Sequence, residues 1–129
     1  MRVLFWILLL IVFSCQERKE TQKNTPDAVR DLLIDRSFWQ KKTVTSPLPG
    51  TMSIHRFTIT NTSQRYVYRR IKVRFDYYDQ AYHKIDSATR IVEQPVEPRS
   101  AIKIDTLETR LPRKEAFSAT ATVVEASAN

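Results

Sequence analysis

Tyr66-Val67-Tyr68-Arg69-Arg70-Ile71-Lys72-Val73-Arg74-Phe75-Asp76-Tyr77-Tyr78-Asp79 is the stretch that decides the fold. Apolar side chains recur at Val67, Ile71, Val73, Phe75 and Tyr77, with Arg69 the exception in that register. A period of two is the mark of a strand with one buried face. The pleat then sends Tyr66, Tyr68, Arg70, Lys72 and Arg74 outward, with Arg65 and Arg69 beside them. A row of rings and cations suits a polyanion, charge giving affinity and the tyrosines stacking on rings. The same row equally serves to solvate a sheet face and discourage edge pairing.

Working outward, His55, Phe57 and Ile59 share one face of a strand from about Met52 to Thr60, and Asn61-Thr62-Ser63 turns the chain. Asp79-Gln80-Ala81 makes the next turn, and Ile85 and Ile91 mark a third, weakly patterned strand. Pro95 and Pro98 interrupt before Ile102 and Ile104, and Pro112 precedes a last run from Phe117 to Val124, rich in threonine and valine. Short strands divided by turn signals predict a mainly β domain, an antiparallel sandwich. Ahead of Pro47-Leu48-Pro49-Gly50 the period is helical. Thr25 as N-cap, Pro26 at the first position and Val29, Leu32, Leu33 and Arg36 on one face predict a short helix through about Arg36, docked on the domain edge.

The start of the chain reads differently. Met1-Arg2 supplies positive charge, Val3 to Phe13 is apolar, and Ser14 is small, the three parts of a secretory signal. As a helix the apolar run spans roughly 16 Å, short of the ~30 Å hydrocarbon core. Val12-Phe13-Ser14-Cys15 resembles the lipobox of bacterial lipoproteins. That resemblance implies lipidation of Cys15, cleavage after Ser14 and a membrane-anchored protein of the bacterial cell envelope. Gln16, where some enteric lipoproteins carry an inner-membrane retention aspartate, favours the outer membrane. An uncleaved anchor and ordinary secretion are the alternatives. With one cysteine in the chain, no disulfide forms within the domain.

Removing residues 1–14 leaves 115 residues, enough for one domain with a core. The formal charge is +7, of which Arg2 supplies one, so the mature chain carries +6 and favours acidic partners. Residues 15–25 read as lipidated cysteine and flexible tether, because Gln16 to Asn24 contains no apolar side chain. Residues 26–129 then form the sandwich domain.

Arg56-Phe57-Thr58-Ile59-Thr60-Asn61-Thr62-Ser63, followed by Val73-Arg74-Phe75-Asp76-Tyr77-Tyr78-Asp79 and Glu97-Pro98-Arg99-Ser100, is similar to FxLyD-type immunoglobulin-like modules. The resemblance covers about Met52 to Leu107 and implies an extracytoplasmic immunoglobulin-like sandwich used for adhesion, assembly or scaffolding. The glycine usual after the tyrosine-aspartate turn is replaced by Gln80-Ala81-Tyr82-His83, which predicts a longer loop.

Chemistry-bearing residues are few. His55 lies in register with Phe57 and Ile59, as a structural histidine would. His83 with Asp79 and Asp86 has suitable metal ligands but no established metal spacing. Ser14 and Ser63 lack a nucleophile context, and a single glycine makes a backbone phosphate cradle implausible. The expectation is a non-enzymatic interaction or assembly module without a cofactor. Its partners would be the membrane, another envelope protein or an anionic envelope polymer, with nucleic acid unlikely. The second expectation is a polyanion- or solute-binding protein using Tyr66, Tyr68, Arg70, Lys72 and Arg74.

Overall fold

The structure, a computed structural model, describes residues 25–44, 50–110 and 115–129. The leader, Cys15, the tether up to Asn24, Pro47 to Pro49 and Pro112 lie outside the described residues. One turn of helix, α1 (Ala28–Asp31), is followed by β1 (Leu32–Val44), β2 (Gly50–Asn61), β3 (Tyr68–Tyr78), β4 (Lys84–Val92), β5 (Ala101–Arg110) and β6 (Ser118–Ala128). All pairings are antiparallel. They build two three-stranded sheets, ordered β1-β2-β5 and β4-β3-β6, so the chain folds as a β-sandwich.

The alternation read from the sequence places the core. Phe57 and Ile59 of β2 meet Ile71, Val73, Phe75 and Tyr77 of β3, all at 0–1% exposure. Each such side chain contributes about 1.5–3 kcal/mol relative to an exposed one. The inner face of β6 is nearly all small. Ala119, Ala121, Ala126 and Ala128 pack against this cluster and Val123 belongs to it.

The helix expected through Arg36 ends after Asp31. Its N-cap is Asp27 rather than Thr25, with the carboxylate accepting from the Arg30 N–H at 3.2 Å. A single turn is not self-sustaining, and the chain gains far more by pairing along β2, from Leu32↔Asn61 to Val44↔Gly50. Two positions assigned to the helix face, Val29 and Leu33, are 61% and 52% exposed. In β1 a register shift between Asp35 and Phe38, with Arg36 at φ 48°, changes the phase. Ile34 and Trp39, on opposite sides of an unbroken pleat, therefore both pack on the core.

A second bulge corrects the face assigned to Tyr68. The β3–β6 register shifts between Arg69 and Lys72, and Arg70 sits at φ 49°. Arg69 and Arg70 consequently both point to solvent. Tyr68 turns inward with Ile71 and is fully buried. The out-of-phase Arg69 in the sequence is the trace of this bulge.

Candidate functional site

Three structured connections meet at the end where the described chain begins. Asn61, fully buried, donates through Nδ2 to the carbonyls of Tyr66 (2.7 Å) and Val96 (3.0 Å) and accepts from the Ser63 N–H at 2.9 Å. Pro98 and Arg99 form the turn that joins this loop, Arg99 donating its N–H to the Ser63 carbonyl at 3.1 Å. Arg99 has φ 54°, the left-handed position of a type II turn, and the Ser100 N–H closes the turn on Glu97.

The Tyr68 hydroxyl donates to Asp31 Oδ2 at 2.5 Å and accepts from the Asp27 N–H at 3.0 Å. Arg30 reaches the same carboxylate, Nε to Oδ1 at 2.7 Å. The Arg30 hydrogen bond leads in holding Asp31 below the usual carboxylate range, Tyr68 adding to it against the cost of burial. Burial, with Asp31 alongside, pushes the Tyr68 phenol well up. These groups are committed to one another and hold α1 on the sandwich.

A second buried polar link joins the two sheets. His55 of β2 stacks on Phe75, ring centroids 3.9 Å apart, and its Nε2 lies 2.8 Å from the Tyr77 hydroxyl. That hydroxyl also bonds Thr109 Oγ1 of β5. Burial pushes the His55 imidazole down to about 4, so it is neutral at physiological pH. The ring is 1% exposed, and its Nε2 faces the Tyr77 and Thr109 hydroxyls inside the sandwich. His83 lies in the β3–β4 loop, Nδ1 3.4 Å from Asp79 Oδ2. Asp79 Oδ1 accepts from the Ala81 and His83 N–H groups at 2.9 Å, shaping the longer loop expected there. Among the described residues no three histidine, cysteine or acidic side chains cluster as metal ligands.

The row predicted on β3 is only partly assembled. Tyr68 is in the core. Tyr66 is half-buried, packed on the core and edge-on to Tyr68 at 6.5 Å. Lys72 pairs with Glu125 at 2.7 Å, and Arg74 pairs with Asp76 at 3.2 Å. Lys84 Nζ stands 3.0 Å from the other Asp76 oxygen. Burial opposes ionisation of Asp76, yet its bonds to Lys84 and Ser87 and the nearby Arg74 hold its carboxyl below the usual range. The exposed remainder is Arg70 with Arg69 beside it.

Two features lie on another flank. β6 is an edge strand, and among the described residues its outer side makes no backbone hydrogen bond. From Ser118 to Val124 it carries no charge. The other edges are studded with charge: Asp35, Arg36, Lys41 and Lys42 on β1, Lys84, Asp86 and Arg90 on β4, Lys103, Asp105, Glu108 and Arg110 on β5. At the entrance to β6 lies a cleft of about 470 Å³, walled by Trp39 and Lys41 of β1, Asp79 and Gln80 of the β3–β4 loop, and Glu115 and Phe117. The helical spacing of Val29, Leu32, Leu33 and Arg36 hides β1 in the sequence, and with it this cleft. The signal was present in Phe38-Trp39 and Thr43-Val44, aromatic and β-branched residues shortly before Pro47 in the sequence. Comparison with family models, curated proteins and solved structures finds no match to this chain, so its function is read from these surfaces.

Proposed function

We propose that this chain is a non-enzymatic cell-envelope lipoprotein whose sandwich recruits a partner by strand addition along the outer edge of β6. The observation that carries the reading is the uncharged edge from Ser118 to Val124, unpaired among the described residues, in a molecule whose other edges carry charge. An open edge presents a row of free N–H and C=O groups to an extended segment. Main-chain hydrogen bonds supply affinity there, and alternate side chains supply selectivity. The lipobox-like Val12-Phe13-Ser14-Cys15 supports anchoring through acylated Cys15. Residues 16–24, fully extended, reach roughly 30 Å, which keeps the domain near the bilayer. The likeness to FxLyD-type modules supports an interaction role rather than a catalytic one.

Two measurements test the two halves. Labelled palmitate should enter the wild-type chain, with globomycin blocking its processing, and Cys15→Ala should abolish both; unchanged labelling of the variant refutes the anchor. Deuterium exchange compares the chain in its native membrane with the chain purified in detergent. The β6 amides should be slowed in the membrane and those of β4 unchanged. Equal exchange of β6 in both settings refutes the edge.

A further inference from the structure

The cleft at the entrance to β6 is chemically distinct from the edge beside it. Trp39 donates its indole N–H to the buried Ser53 Oγ at 2.9 Å, so its polar atom is already satisfied within the fold. What it offers the cleft is ring surface, with Lys41 Nζ standing over it 5.9 Å from the ring centroid. Phe117, 57% exposed, supplies a second ring in the same wall. Between them stand hydrogen-bonding groups of both kinds: the Lys41 ammonium, the Glu115 carboxylate, the Gln80 amide and the Asp79 carboxylate.

The charges of this cleft do not invite an anion. Lys41 is paired with Glu115 at 3.2 Å, and Asp79 is held by the His83 and Ala81 N–H groups. Among the described lining residues, Lys41 and Glu115 cancel and Asp79 leaves one negative charge. A fitting ligand is uncharged, presents a flat C–H face to the rings and carries a rim of donors and acceptors. A pyranose ring has that construction. The volume lies within the 300–1,000 Å³ usual for small-molecule sites and exceeds one ring.

We propose that the Trp39–Phe117 cleft binds a neutral saccharide, one ring stacked on an aromatic side chain and its hydroxyls bonded to Lys41, Glu115, Gln80 and Asp79. The site is separate from the proposed partner edge and does not depend on it.

The sequence supplies the reporter. Trp6 and Trp39 are the two tryptophans, so a full-length chain carrying Trp6→Phe has Trp39 as its single indole. This chain, in a polyoxyethylene detergent that contains no sugar, is titrated with the β-1,4-linked tetramers of N-acetylglucosamine and of glucose, and with a tetragalacturonate as anionic control. At least one neutral tetramer should shift Trp39 emission saturably below about 10 mM. Phe117→Ala should weaken that binding by about two- to tenfold. Glu115→Gln should also weaken it, while Phe38→Ala, on the opposite face of β1, should leave it unchanged. Phe117 and Glu115 are exposed, so a melting curve separates loss of binding from loss of fold. The proposal is overturned if neither neutral tetramer gives a saturable shift, if the anionic tetramer binds as well, or if Phe117→Ala and Glu115→Gln bind as wild type.

Discussion

The end of the sandwich that holds α1 and the flank formed by β6 are built on opposite terms. At the α1 end Asn61, Asp31 and Tyr68 are buried and bonded on every side available to them. Along the outer side of β6 the backbone makes no hydrogen bond among the described residues, and from Ser118 to Val124 the side chains are serine, alanine, threonine and valine, the one charge of the strand being Glu125 beyond them. A group that is buried and fully bonded specifies structure. A free edge without charges costs little to keep open and exposes the molecule to pairing. The difference teaches where to look for function: away from the polar network, on the edge whose outer backbone is left without hydrogen bonds among the described residues.

The comparison is broken most severely by removing the clamp. Asn61→Ala removes three hydrogen bonds from a fully buried site, leaving the Val96 carbonyl only the Tyr68 N–H and the Tyr66 carbonyl only the Ser63 hydroxyl, and should cost about 2–4 kcal/mol in urea unfolding. A cost under about 1 kcal/mol would mean that the α1 end is not built on this side chain. The next effect is set by pH. An unfolded histidine takes a proton near pH 6.5, whereas folded His55 resists until about 4, so the unfolded chain binds more protons across that window. Stability should be nearly complete above pH 6.5 and fall by about 3 kcal/mol as pH drops to 4. His55→Phe should flatten that slope. Asp31, with its lowered carboxyl, adds a further loss only as pH falls through the ordinary carboxylate range near 4 and below.

Smaller changes sharpen the contrast. Arg99→Gly relieves a left-handed non-glycine position in the type II turn and should stabilise the fold by about 0.5 kcal/mol, read as a raised urea midpoint. On the other flank, Thr120→Lys and Thr122→Lys should alter stability by no more than about 0.5 kcal/mol each, because both side chains are exposed. They should nevertheless block partner addition, as lysine on an edge strand opposes pairing.

Much of this was legible in the sequence, because one-sided burial leaves a period of two. Phe57 and Ile59 of β2 and Ile71 to Tyr77 of β3 announce their inward faces directly. What was illegible lay at the two bulges. Arg36 and Arg70 adopt positive φ without glycine, so no turn residue marked the changes of phase that bring Trp39 and Tyr68 inward, and only the out-of-phase Arg69 hinted at the second. Long-range bonds were equally hidden. Tyr68 finds Asp31 only because β1 runs back along β2, a pairing masked by the helical spacing of Val29, Leu32, Leu33 and Arg36. The cleft joins residues from β1, the β3–β4 loop and the entrance to β6, and no sequence spacing encodes that meeting.

The central claim is that β6 is the edge a partner uses. Its most direct test is a photo-reactive residue placed at Thr122 of β6, or at Thr89 of β4 on the other side of the same sheet, in cells making the full-length chain. Illumination should give a discrete adduct from Thr122, lost on adding Thr120→Lys, and none from Thr89. No adduct from Thr122, or the same adducts from both positions, would contradict the account.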